Sequence, residues 1–295
     1  MSQTVGSVRP CIYSNRFYSS VVSELESEIS MMIDRQQREP CQFDEVFAAV
    51  LPHAGLAYSN RGSSRAFAHR ANPVSFALIL APSHHYHILS DRLVGDSYTA
   101  YHTPLGDLRH NPLDISYPVT INNSFTSIEH AVEMPLLHLA YQQKRQGSEI
   151  EVEVLLTSSF SSSLKADAVA LSIQEAMKRK GIALEQTLFL ASTDITHWGN
   201  LYVNTPYSDM PENEILAHVK MDDTDTIQSF IDGSAPVSRP QQSTMCGYGA
   251  FTLLSHLARL SGLKGKLHDY YTSKDIVPDG GGDSFVTYAS VLFGR

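Results

Sequence analysis

Apolar residues along this chain fall into two periods. Val22, Leu25, Ile29, Met32 and Ile33 recur at helical spacing, so residues 19–36 read as an amphipathic helix. Residues 45–51 (EVFAAVL) and 76–81 (FALILA) are instead largely apolar runs of strand length, closed by Pro52 and Pro82. A helix is expected over 59–70 between them. Residues 91–127 are rich in Gly, Pro, Asp, Asn and Ser and predict short strands and turns. Ile128, Val132, Leu136 and Leu139 predict a helix over 128–144, which Pro135 should kink or restart. Residues 151–157 alternate as a strand, 163–180 form a helix stopped at Gly181, and 187–192 (TLFLAS) form another strand. Helices over 211–231 and 248–261 follow. Strands over 266–272 and 285–293, separated by the turn-rich DIVPDGGGD, finish the chain. Strands alternating with helices predict an α/β fold, one domain over residues 1–295 with a central mixed sheet flanked by helices.

Composition narrows the function classes. The chain has 295 residues, 42% hydrophobic and 18% charged, which is ordinary for a globular protein with a sizeable core. Lys and Arg number 22 against 31 Asp and Glu, a net charge of −9, which argues against a nucleic-acid partner. No run reaches the roughly 18 apolar residues of a membrane span. The opening MSQTVGSVRP lacks the apolar core of a signal peptide. Cys11, Cys41 and Cys246 are too few and too scattered for a disulfide framework and point to a reducing, cytoplasmic compartment.

The 13 histidines are many for this length, and they cluster. Three apolar strands end alike: EVFAAVL passes into PHAG, FALILA into PSHH, TLFLAS into TDITHWG. One strand-end histidine is commonly an ordinary hydrogen-bonded loop residue. Three such ends suggest one site, because ligands of open α/β sheets collect at the carboxyl edge. Neutral imidazole is a frequent transition-metal ligand. His53 and His84, each the first His after its strand, are the leading ligand candidates. The third ligand is either a carboxylate, completing the face used by non-haem Fe(II) enzymes, or Cys246, giving a softer set for copper, zinc or iron. Asp194 and His197 then tune the site or act as acid–base groups. Taken alone, Cys246 also fits an inert buried thiol or a low-pKa nucleophile at a helix entrance. His85 and His87 read as neighbours, His110, His218, His256 and His268 as structural, and Trp198 as packing.

The segments LPHAGLAYSN, ILAPSHHY, YHTPLGDLR, EHAVEMPLLHLA, STDITHWG and STMCGYGA span residues 51 to 250. Through them the chain resembles the Memo family (mediator of ErbB2-driven cell motility). The resemblance implies a fold similar to class III extradiol dioxygenases, the non-haem iron enzymes that open catechol rings. It implies metal ligands His53, His84 and Cys246 around one copper or iron ion, with zinc a further option. Asp194 and His197 would share the pocket, with Glu129, His130 and Glu133 lining or bracing it. It further implies a cytosolic protein of copper- or iron-linked redox chemistry, receptor tyrosine kinase signalling and cell motility. Two other functions compete. One is a metal-dependent dioxygenase or hydrolase acting on a small molecule, with His197 or Asp194 moving the proton. The other is a pocket for an extended or phosphotyrosine-containing peptide, for which Arg61, Arg65, Arg92 and Arg109 are available. Two positions depart from the family. YSNRFYSS at 13–20 stands where the family has AG-x-WY, and Ala81 replaces the usual Gly before PSHH.

Overall fold

Four apolar runs pair in parallel in the spatial order β8 (Glu151–Thr157), β3 (Phe76–Ala81), β9 (Thr187–Ser192), β2 (Val46–Leu51). Every residue of β2, β3 and β9 is buried, because helices cover both faces of the sheet. Alternate side chains serve opposite cores. Ala49, Leu51, Ala77, Ile79, Leu188 and Leu190 pack with α1 (Val22–Gln37), α2 (Leu56–Ala68) and α4 (His130–Gln146). Ala48, Val50, Leu78, Leu80, Phe189 and Ala191 pack with α5 (Ser163–Arg179), α6 (Glu212–Ile231) and α7 (Tyr248–Leu260). The computed structural model describes residues 7–278 and 282–295. Residues 1–6, on which the signal-peptide reading bore, and 279–281 of the expected turn lie outside the described residues.

Antiparallel strands make the sheet mixed. β12 (Phe285–Gly294) runs against β2, and β11 (Lys264–Thr272) and β10 (His197–Trp198) run against β12. On the other side β6 (Leu108–His110), β5 (Ala100–Tyr101) and β1 (Val8–Arg9) extend the sheet, while β4 (Leu93–Gly95) and β7 (Val119–Ile121) branch from β8. Short helices α3 (Asn123–Ser127) and α8 (Ser273–Ile276) complete a single α/β domain with a 12-stranded sheet. Among the described residues, no helix is long and apolar enough to cross a membrane.

Some helices differ from the expectation: α1 begins at Val22 rather than 19, and α3 lies in a stretch expected to hold only strands and turns. α2 begins at Leu56 rather than 59, where the Leu56 N–H bonds the Phe17 carbonyl. α4 begins at His130, capped by the Glu129 carboxylate on the Ala131 N–H, and continues past Pro135 without restarting. Pro135 lacks the N–H that would bond the Ala131 carbonyl, and that carbonyl is taken by the Ser192 hydroxyl instead (2.7 Å).

Register positions the site. Leu51 lies opposite Ser192, and Leu80 opposite Ala191. The carboxyl ends of β2, β9 and β3 are therefore side by side, and the segments starting at Pro52, Thr193 and Pro82 open onto one edge.

His110 stabilises the far side of the sheet. Its ring sits between Glu153 (3.4 Å) and Asp96 (3.7 Å) and bonds the Tyr98 carbonyl (2.6 Å). Burial pushes its pKa down, but these partners more than reverse that, and the net shift is upward. A raised histidine contributes stability that is fully present below its unfolded pKa, about 6.5, and is lost as pH rises through the folded value. The stability difference between wild type and His110→Gln should thus be widest near pH 5.5 and shrink above neutrality. Urea unfolding of both proteins across pH measures it; a difference that widens with pH refutes the assignment.

Candidate metal centre

Three loops and one helix entrance bring the chemistry together. His53 follows β2, His84 follows β3, Asp194 and His197 follow β9, and Cys246 sits just before α7. Cys246 can reach the strand ends because its neighbours are small. A Cβ on Gly247 would lie 2.3 Å from the Ser192 carbonyl oxygen, and one on Gly249 2.0 Å from that of Ser158. Cys246 Sγ is 3.1 Å from His53 Nε2, and one ligand atom each from His53, His84 and Cys246 lie within 4.8 Å of one another.

The hydrogen-bond network sets both imidazole tautomers. The one proton of the Ser192 hydroxyl goes to the Ala131 carbonyl, so that hydroxyl accepts from His53 Nδ1 (2.9 Å). The lone pair of neutral His53 is then on Nε2, facing the sulfur. His84 Nδ1 donates to Glu129 Oε1 (2.8 Å), and the His84 backbone N–H donates to Glu129 Oε2 (2.7 Å). Burial opposes ionisation of Glu129, but the His84 hydrogen bonds and charge prevail and hold its pKa down at about 2. His84 is left with Nε2 for the Cys246 side. Bonding of the distal nitrogen to a fixed acceptor is how proteins orient metal-binding histidines.

The charges respond to one another. Burial alone would raise the Cys246 thiol, yet the charge of His53, the His53 and His84 hydrogen bonds and the charge of His197 bring it well below its ordinary value. Burial lowers and the Cys246 and Glu129 partners raise His84, to about 10. His130, whose ring is 4.4 Å from that of His84, is pushed down to about 3 by burial and by the charges of His53 and His84. Burial raises Asp194, which is 4% exposed. Its Oδ1 accepts the His53 backbone N–H (2.9 Å), and its own N–H donates to Cys246 Sγ (3.2 Å). His197 Nδ1 donates to the Thr244 carbonyl (3.2 Å), which leaves Nε2 as its basic atom.

The donor set suits a transition metal. A tetrahedral ion at about 2.0–2.3 Å from N and S ligands separates them by about 3.3–3.6 Å; the His53–Cys246 pair stands at 3.1 Å, and His84 offers its ligand atom within 4.8 Å of both. A second group, His84, Glu129 and His130, also lies within reach of a common ion. Its Glu129 oxygens, however, are already engaged by His84 and by the Ala131 N–H (3.0 Å).

Sequence reasoning missed several members. Ser192 was legible only as the polar end of TLFLAS. Arg9 gave no signal: it is fully buried, bonded to Thr126 and Glu129 carbonyls and to Glu133 (2.9 Å). The departing segment 13–20 lies against the site, where the rings of Tyr13 and Phe17 meet His130 at 5.6 and 5.3 Å. Glu133 does not reach the ligand atoms; it binds the Ile12 and Tyr13 N–H groups and the Tyr18 hydroxyl.

A family model described as Memo-like protein matches residues 9–292. A MEMO1 family protein of Thermococcus kodakarensis is 25% identical over 287 residues, covering 92% of this chain and 95% of its own. One of Thermoplasma volcanium is 25% identical over 293 residues, covering 97% and 98%. A MEMO1 family protein of Schizosaccharomyces pombe is 28% identical over 169 residues, covering 54% and 52%.

Proposed function

From the premise that this chain belongs to the Memo family, we propose that it is a metal-binding protein whose His53, His84 and Cys246 hold one copper or iron ion. The observation that carries the reading is the convergence of one ligand nitrogen each from His53 and His84 with the Cys246 sulfur, while both Nδ1 atoms already have partners. Thiolate with imidazole favours copper, iron or zinc over magnesium or calcium, and the first two supply redox chemistry. Asp194 and His197 hold and move protons beside the ligands. His84 is the open side of the centre, its side chain 29% exposed, while that of His53 is closed off at 2%. Residues 1–295 act as one unit. Three free cysteines support a reducing, cytoplasmic location. For receptor tyrosine kinase signalling and cell motility, support comes from the family resemblance alone.

A second reading is a metal-dependent enzyme, a dioxygenase or hydrolase taking a small molecule. A cleft of about 200 Å³ that includes Cys246 in its wall favours it. In that reading His197 Nε2 accepts the proton and buried Asp194 keeps it close to the reacting atoms. Elemental analysis of protein purified without chelators tests the shared premise. About one transition-metal ion per chain is the expected result; protein that stays empty after incubation with copper, iron and zinc salts refutes it.

A further inference from the structure

The cleft beside Cys246 has its own chemistry. Its walls include Ser83, just before His84, the β8 end at Thr157–Ser159, Arg239, and the first turn of α7 at Tyr248 and Gly249. Three features there are electropositive or are hydrogen-bond donors. α7 has 13 residues; the Gly247 N–H at its entrance donates to Thr193 Oγ1 (2.8 Å), and the N–H groups of its first turn have no intrahelical partners. Gly249 lets that turn lie against Ser158, where any Cβ would collide. Arg239 bonds the Ser243 carbonyl through Nε and Nη2, and among the described residues Nη1 has no partner. Thr157 is 5% exposed, and its hydroxyl has no hydrogen-bond partner among the described residues. A buried hydroxyl of a cleft-lining residue that no described residue satisfies is costly unless a ligand or water completes it.

The arginines available from the sequence lie elsewhere. Arg61 is clamped by Asp269 (2.7 and 2.8 Å), Arg65 by Gln36 (2.7 Å) and Arg109 by Glu151 (3.1 Å). Arg92 does not line the cleft. Arg239 is the arginine that does.

We infer that this cleft is an anion subsite, which holds the carboxylate or phosphate-monoester group of a small ligand by Arg239, the Thr157 hydroxyl and the α7 amino end. The ligand's other end reaches the Cys246 sulfur. The inference deepens the metal-site reading and rests on it for that reacting end. Anions at uncapped helix starts bond to backbone N–H groups and gain from the helix dipole, and arginine adds a charged donor.

Calorimetric titration of the full chain, as purified, with inorganic phosphate and separately with benzoate tests it. Saturable binding of at least one anion is expected, and the tighter one identifies the group. Arg239→Gln should weaken binding about tenfold or more, while Arg92→Gln leaves it unchanged. Thr157→Val should weaken binding severalfold without lowering the urea midpoint, which separates a ligand role from a structural one. Failure of both anions to bind the wild type, or equal affinity in Arg239→Gln, overturns the inference. Metal content, measured on the same samples, tests the metal reading separately. Arg239-dependent binding by protein that takes up no metal would retain the cleft and remove the metal.

Discussion

Cys246→Ser should empty the metal centre. The sulfur is the one thiolate of the set, and its neighbours are arranged to favour that charge: His53 Nε2 at 3.1 Å and the Asp194 N–H at 3.2 Å. A serine hydroxyl in the same place stays protonated at neutral pH and is a weak ligand. Removing even a group that merely supports a ligand costs about 10–100-fold in metal affinity. Loss of the thiolate should cost at least about a hundredfold, enough to leave dialysed protein nearly metal-free. Cys11→Ser and Cys41→Ser should keep the wild-type content, since neither cysteine belongs to the cluster. Unfolding midpoints distinguish a lost ligand from a lost fold. His84→Ala should also lose metal, but it strips a hydrogen bond from buried Glu129, so Cys246→Ser is the cleaner variant. Wild-type metal content in dialysed Cys246→Ser protein would remove the sulfur from the centre.

The strand ends were legible because the physics is local. An apolar run closed by proline is a buried strand stopping, and a histidine just beyond it stands at the sheet's edge. His53 and His84 could be read in this way, and Asp194 by its place just past the third apolar run. The sequence could not show that β3, β9 and β2 are adjacent, since that order is set by crossovers of more than a hundred residues. Nor could it show what Pro135 does. Its missing N–H frees the Ala131 carbonyl, Ser192 donates to that carbonyl, and the same hydroxyl then accepts from His53. A residue expected to break a helix instead helps to fix a tautomer in a neighbouring loop. Arg239 was equally silent, lying in a loop that periodicity cannot place and meeting Thr157 only in three dimensions.

Glu133→Gln should be among the most destabilising single changes in the chain, although it is nearly isosteric. Glu133 is 2% exposed and pairs with fully buried Arg9 at 2.9 Å. Its two oxygens accept from donors on both sides. Oε1 takes Arg9 Nη1 and the Ile12 N–H (2.9 Å), and Oε2 takes the Tyr13 N–H (3.1 Å) and the Tyr18 hydroxyl (2.6 Å). A glutamine amide, whichever way it is turned, sets its own N–H₂ against two of these donors. Arg9 would also be left buried without a counter-charge. Breaking a buried pair from one side costs about 3–5 kcal/mol. Tyr18→Phe, which removes one hydroxyl, should cost only about 1–2 kcal/mol. Urea unfolding of the two variants beside wild type gives the ranking, and limited proteolysis should first cut residues 9–18 in Glu133→Gln. That segment carries the Tyr13 and Phe17 rings against His130, so its release opens one wall of the centre without removing a ligand. Metal content should therefore survive in Glu133→Gln under conditions where it stays folded. A cost below about 1 kcal/mol would mean that the Arg9–Glu133 pair does not fasten the amino-terminal segment to α4.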